Sequence, residues 1–289
     1  MADIYQEIWD ADQTYAGLKA IRPTTPITPA LTTHGYVVVN EDATAGPDHR
    51  VIESMVIPLA KEKTYELARK LFNNYTLDQT KEENDLPEET AEVQEFLEAV
   101  HDCPPMQVAR AYVAAQRGEA ISKDQWWAIV ERMWFERFNM GNNKDLSGFE
   151  HVVVGEQKQG KLGGYHAWYK YYLDERFRRD DADDTVTDTI KFISWKGPPE
   201  NSPEVVTLSF EVRMFDYESG QFRKLIKPIG GFWIGPSIAG LLALGTVRCM
   251  LQALAPKKAI INGVKYNLPI HLSPNERHVR TFYPEFTTA

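Results

Sequence analysis

Residues 148 to 173 read GFEHVVVGEQKQGKLGGYHAWYKYYL, and the fold turns on this stretch because it separates a helix-patterned first half from a strand-patterned second half. His151 opens the β-branched run Val152 to Val154, which favours a strand ending at the turn-forming Gly155. After a polar loop and the pair Gly163-Gly164, apolar residues recur at Tyr165, Trp168, Tyr169, Tyr172 and Leu173, the spacing of a helical face. That spacing places His166 in the first turn of a helix, where free N–H groups disfavour an imidazolium, so His166 is expected to be neutral. His151 follows Glu150, and a carboxylate folded against it favours the cationic form. Two histidines biased in opposite directions make a base and an acid near neutral pH. Glycine backbone beside them presents N–H groups to a phosphate. Spacing alone leaves two readings open: phosphoryl-transfer chemistry, or two unrelated histidines and a Gly-Gly turn.

Toward the N-terminus the pattern is helical. Ser122 and Gln125 form an S-x-x-Q capping box ahead of QWWAIVERMWFERF, with Gly141 past its end. Trp126, Trp127, Trp134 and Phe138 of this segment read as core. Further helices are expected from Met106 to the C′ glycine Gly118, around Val93, Phe96, Leu97 and Val100 (beginning after Pro87 and ending before Cys103), and around Leu67, Ala68 and Leu71. Pro23, Pro26 and Pro29 mark an extended connector after a short helical start at residues 1 to 21.

Toward the C-terminus the period becomes two. Val206, Leu208, Phe210, Val212 and Met214 alternate with polar residues, a half-buried strand, and Thr187 to Trp195 is its expected partner. QFRKLIKPIGGFWI, residues 221 to 234, continues the extended structure. Pro236 and Ser237 precede an almost wholly apolar helix, Ile238 to Leu254, to be buried against the sheet. Asn262-Gly263 is a two-residue hairpin turn, and residues 278 to 283 form the last extended segment. The fold class is α+β: a mainly helical N-terminal lobe packed on a lobe of antiparallel sheets with flanking helices.

The 289 residues carry a formal charge of −9, distributed unevenly. Residues 1 to 147 hold 14 Lys and Arg against 25 Asp and Glu, and residues 148 to 289 hold 18 against 16. An acidic total argues against broad non-specific nucleic-acid binding and leaves room for a local basic site in the second half. Two cysteines, Cys103 and Cys249, make no disulfide framework and have no metal-ligand spacing. No apolar run reaches membrane-spanning length, and the acidic N-terminus is unlike a signal peptide, so no membrane partner and a cytoplasmic location are expected, with secretion left open.

GFEHVVVGE followed by GKLGGYHAWYKYYL resembles the EndoU (XendoU-like) family of endoribonucleases, whose eukaryotic members carry a closely similar FEHVFVGE and GFH-W-YL pattern. It is also similar to the catalytic domain of the coronavirus uridylate-specific endoribonuclease. KPIGGFWIG, residues 227 to 235, is similar to the family's lysine-bearing segment, and VRTFYP, residues 279 to 284, to its tyrosine-bearing one. The resemblance covers roughly residues 58 to 289, with its specific motifs in 148 to 289. It divides the chain into an N-terminal extension with a Pro-rich connector (1–57), a helical lobe (58–147) and a catalytic EndoU-like lobe (148–289).

The resemblance implies an endoribonuclease acting on single-stranded RNA by transesterification through the 2′-hydroxyl, leaving 2′,3′-cyclic phosphate and 5′-hydroxyl ends. His166 is then the general base, His151 the general acid and Lys227 the stabiliser of the phosphorane, with Lys224 as the alternative lysine. Gly164 offers a backbone N–H to the phosphate, Tyr283 stacks on the base, and Glu150 and Glu156 support the histidines. Four residues after the lysine, relatives usually carry a hydroxyl that bonds uracil, whereas this chain has Gly231. A relaxed uridine preference is expected, unless Gly231 backbone or a hydroxyl such as Ser237 substitutes.

No cofactor is required by this chemistry and no metal ligands are assigned, although relatives stimulated by manganese or calcium make such stimulation an expectation. The acidic run DDADD, residues 180 to 184, reads as a solvated loop, with a hard-cation site as its alternative. A monomer is favoured. His34, His49, His101, His271 and His278 have no partner spacing. A catalytically inactive RNA-binding protein of the same fold is the competing function; a metallohydrolase lacks H-x-H or H-E-x-x-H spacing.

Overall fold

Buried apolar side chains from both ends of the chain meet in one core. In the computed structural model, Ile4, Tyr5, Ile8 and Trp9 of helix α1 (Ile4–Tyr15) share a cluster with Trp126, Trp134, Leu242, Val279 and Phe282. The structure describes residues 3–44, 50–83, 86–139, 145–175, 190–197, 204–216 and 219–286. The acidic run at 180–184 and His49 lie outside them.

The first half begins with α1, strand β1 (Lys19–Ile21), helix α2 (Pro29–His34), and strands β2 (Tyr36–Val39) and β3 (Ile52–Val56). The expected Pro-rich connector thus becomes a helix at Pro29, because proline at N1 costs no hydrogen bond there, and Thr28 caps it. Helices α3 (Leu59–Lys70), α4 (Pro87–Val100), α5 (Pro104–Arg117) and α6 (Lys123–Trp134) follow. Ser122 and Gln125 exchange side chain and backbone as a capping box, and Gly118 is left-handed with φ 66°. The α6 helix ends at Trp134, earlier than its apolar run suggests, and Phe138 lies in the short hairpin of β4 (Phe138–Asn139) and β5 (Asp145–Leu146).

A short π-helical turn, Glu150–Val154, comes next, then β6 (Glu156–Lys158), β7 (Lys161–Gly163) and α7 (Trp168–Asp174). Strands β8 (Ile190–Trp195), β9 (Val205–Asp216) and β10 (Gln221–Trp233) complete a five-stranded sheet of order β6-β7-β10-β9-β8. It is antiparallel except where β10 runs parallel to β7. The alternation from Val206 to Met214 is realised in β9, and Ile190–Trp195 pairs with it as expected.

The apolar helix α8 (Ile238–Leu251) is nearly all buried, but it packs against α5, α1 and α6 and not on the face of this sheet as its sequence suggests, because the helices of the first half supply the apolar surface that surrounds it. Its N-terminus is capped by Ser237, whose N–H and hydroxyl both donate to the buried carboxylate of Asp12 in α1. Two hairpins and a final pairing close the chain: β11 (Lys258–Ile261) with β12 (Val264–Asn267), β13 (Ile270–Leu272) with β14 (Val279–Phe282), and β15 (Glu285–Phe286) on β12. Asn262 and Gly263 take φ of 51° and 83°, the two positive values that a tight hairpin turn demands. Two core clusters each cross the sequence positions 57 and 147, so residues from all three segments of the chain are packed together. Among the described residues no helix is long and apolar enough to cross a membrane.

Candidate active site

The turn carrying His151 is helical where its β-branched residues favour a strand. Ser147 and Glu150 explain the difference: the Glu150 N–H donates to Ser147 Oγ (3.1 Å), and the Ser147 N–H donates to Glu150 Oε2 (3.2 Å). This reciprocal pair starts a helical turn, burial of Phe149, Val152 and Val153 in the core holds it, and Gly155 at φ 83° ends it. Packing here outweighs propensity. Glu150 is therefore a buried structural carboxyl, and that burial, with Glu83 and Glu156 nearby, pushes its pKa well up.

His151 meets a different carboxylate. Its Nδ1 lies 2.7 Å from Oε1 of Glu156, the first residue of β6. A carboxylate at that distance fixes the ring orientation and occupies Nδ1, so Nε2 is the nitrogen not engaged by Glu156.

His166 sits before a helix, not within its first turn: α7 starts at Trp168, after Ala167 at φ −109°. The backbone leading there is unusual, with Gly164 at φ 59° and Tyr165 at φ 65°. A left-handed aromatic residue is strained, and its hydroxyl donates to Asp174 at 2.6 Å to anchor it. With the helix starting at Trp168, Tyr171 is fully buried in place of Tyr172. The same backbone path clamps the two histidines together. The Tyr165 N–H donates to the His151 carbonyl (2.9 Å), and the His166 N–H to the Val152 carbonyl (2.6 Å).

The His166 ring is held from two further sides. Nδ1 donates to the carbonyl of Gly231 at 2.8 Å; a carbonyl can only accept, so Nδ1 carries the proton and Nε2 the lone pair. Tyr283 stacks on its face, with ring centroids 4.7 Å apart and planes 15° from parallel. Burial lowers the His166 pKa well below 6.5, and the Lys227 ammonium adds to the effect while the Gly231 carbonyl opposes it. His166 is neutral as expected, for reasons of burial and charge and not of a helix dipole.

Lys227 lies in β10 opposite Phe210 of β9, next to an irregularity in register between Lys227 and Gly230. Only 6% exposed, it donates from Nζ to the Gly164 carbonyl. Burial lowers its pKa to about 8, against the attraction of Glu156. Lys224, the alternative, is exposed and paired with Glu211 at 2.8 Å. His151, His166, Lys227, Glu156, Gly164, Gly231 and Tyr283 thus converge on one place, while Glu150 supports it from behind. The remaining histidines have local partners or lie elsewhere: His34 with Gln13, His101 against Trp127, His278 with Ser273, and His271 exposed.

The family model described as Endoribonuclease XendoU matches residues 1–284. The chain belongs to the XendoU endoribonuclease family. It is an endoribonuclease, and among the XendoU proteins it is similar to the poly(U)-specific endoribonuclease-B of Xenopus laevis, 26% identical over 98% of this chain and 92% of that protein. The poly(U)-specific endoribonuclease of Xenopus tropicalis is 27% identical over the same shares. The solved structure of XendoU, described as a splicing-independent snoRNA-processing endoribonuclease, superposes with a TM-score of 0.69 at 23% identity, covering 99% of this chain and 96% of that one, a likeness of fold. Mixed helices and antiparallel sheets in that arrangement are the expected α+β class.

Sequence reasoning missed one neighbour of this XendoU site. Thr207 is the register partner of Gly231, and a Cβ placed on Gly231 would lie 3.8 Å from Thr207 Oγ1 and 3.2 Å from the Pro284 carbonyl. The strand alternation marked Thr207 as the polar face of β9 without showing what that face adjoins. Ser237, considered as a substitute hydroxyl, is 1% exposed and spent on Asp12.

Proposed function

We propose that this XendoU-family chain cleaves single-stranded RNA on the 3′ side of uridines, with a relaxed base preference, by attack of the 2′-hydroxyl on the adjacent phosphorus. The O2′–P bond forms and the P–O5′ bond breaks, giving a 2′,3′-cyclic phosphate and a 5′-hydroxyl. His166 Nε2 takes the 2′-hydroxyl proton, and His151 Nε2 delivers one to the leaving 5′-oxygen, with the Glu156 carboxylate stabilising the imidazolium before transfer. Lys227 stabilises the charge that grows on the phosphorane oxygens in a largely dry site. Gly164 contributes backbone close to the phosphate, and Tyr283 the face on which a base stacks. The observation that carries this reading is the fixed tautomer of His166: Nδ1–H is committed to Gly231, and the ring is kept neutral beside an ammonium.

Thr207 supplies the hydroxyl that position 231 lacks, from the neighbouring strand, and discriminates uracil less strictly because the donor is displaced. Manganese or calcium stimulates without entering the proton transfers; activity that persists in excess chelator supports this. Cleavage of a short labelled RNA with detection of the cyclic phosphate end is the direct test. Loss of cleavage in His166→Ala with RNA binding retained supports the assignment, and unchanged cleavage removes it. Binding without cleavage by the unaltered chain favours the inactive RNA-binding alternative.

A further inference from the structure

Two lysines face each other across the β6–β7 hairpin beside this site. Lys158 and Lys161 are direct cross-strand partners, both exposed. The two residues between them, Gln159 and Gly160, have φ of 50° and 74°, a tight hairpin turn that fixes their separation. Like charges directly opposed on a sheet are destabilising. Neither lysine has an ion-pair partner among the described residues, whereas Lys224 and Arg223 on β10 pair with Glu211 (2.8 Å) and Asp216 (3.5 Å). Two opposed lysines without an ion pair among the described residues make this hairpin locally basic in a chain of net charge −9.

Its position gives it a use. Side chains two apart on a strand share a face, so Lys158 is on the side of Glu156, and Lys161 on that of Gly163. Glu156 is the residue that holds His151. Lys158 therefore lies about 7 Å along β6 from Glu156, the carboxylate bonded to His151.

We infer that Lys158 and Lys161 bind the RNA phosphate next to the scissile one on its 3′ side. This deepens the proposed function and rests on His151 being the acid: the acid meets the leaving 5′-oxygen, whose nucleoside carries that next phosphate. Two ammonium groups at a turn accept a single phosphate without reading a base, so the contact positions the strand and is blind to sequence.

Binding of non-cleavable 2′-deoxy analogues separates this site from the chemistry. The probes are dUpA, the same with an added 3′ phosphate, and the same with an added 5′ phosphate. The 3′ phosphate is expected to tighten binding about fivefold to tenfold. In Lys158→Gln/Lys161→Gln that gain disappears while dUpA binds unchanged, and the salt slope of binding falls by about 0.7, the single-strand value for one phosphate. A gain that survives in the double variant, or that follows only the 5′ phosphate, overturns the site. Failure of the unaltered protein to cleave UpA would strike the proposed reaction and leave this binding result standing.

Discussion

The Tyr283 ring lies face to face with the His166 imidazole, 4.7 Å between centroids, so the residue proposed to receive the base also covers the proposed general base. Two effects then share one side chain. Tyr283→Ala is expected to lower kcat/KM about tenfold to a hundredfold through lost stacking. It also opens His166 to water, so the His166 pKa rises toward 6.5 and the acidic limb of the pH–rate profile moves up with it. Tyr283→Phe keeps the ring and should keep both properties. A proton titration of His166 by NMR alongside the kinetics checks the pair, and an unmoved acidic limb in Tyr283→Ala would show that the stack does not set the His166 pKa.

Lys227 predicts the alkaline side of the same profile. With its pKa lowered to about 8 by burial, the ammonium is present below that pH and lost above it, so kcat/KM should fall as pH rises through about 8. Lys227→Arg cannot deprotonate in this range, and whatever activity it retains should lack that limb. The stability sign is opposite. A lysine whose folded pKa is depressed destabilises the fold fully below about 8, and the deficit fades as pH rises toward 10.5. Lys227→Met is accordingly expected to be inactive and no less stable than the unaltered protein, read by thermal unfolding at pH 7.

Gly164 is required by geometry. Its φ is 59°, and a Cβ there would lie 1.6 Å from the His151 carbonyl, the atom that receives the Tyr165 N–H. Gly164→Ala must push the two histidine segments apart, with an expected stability loss of about 3 kcal/mol and a more than hundredfold fall in kcat. Gly160→Ala is the control: φ is also positive, at 74°, but a Cβ meets nothing within 4 Å. It should cost about 1 kcal/mol of backbone strain and leave kcat intact. Equal losses in both variants would place the cause in φ alone and not in the contact with His151.

What could be read from the chain follows from the range of the forces involved. Patterns set by neighbouring residues were legible: the alternation of β9, the capping box of α6, the Asn262-Gly263 turn and the burial of α8 all depend on residues within a few positions. The histidine pair was legible as a motif, and its local backbone was not. The Val152–Val154 run looks extended by propensity, but Ser147, Glu150 and core burial wind it into a π-helical turn. Partners far away in sequence were invisible. Asp12 capping α8 through Ser237, and the Gly231 carbonyl fixing His166 across 65 residues, are products of the tertiary fold. The carboxylate for His151 was expected to come from a nearby acid, and the turn's direction selects Glu156 over the adjacent Glu150.

Thr207 is where the question of base choice becomes measurable. Gly231 removes a side chain from β10, and the antiparallel register puts Thr207 directly beside the gap, on the same face, near Pro284 and hence near Tyr283. A site whose hydrogen-bonding group is supplied by a neighbour should discriminate by a modest factor, since a buried partner left unpaired by the wrong base is what makes rejection strong. Thr207→Val keeps the shape and deletes the hydroxyl. Its expected effect is a fall of about fivefold to tenfold in kcat/KM for uridine dinucleotides, with cytidine dinucleotides less affected. Gly231→Ser places a hydroxyl on β10 itself; its Cβ meets the Pro284 carbonyl at 3.2 Å, a contact that a shift of a few tenths of an ångström relieves. That variant should sharpen the uridine preference. Competition between uridine and cytidine dinucleotides reads both effects, and an unaltered ratio in Thr207→Val would mean that the base is recognised elsewhere.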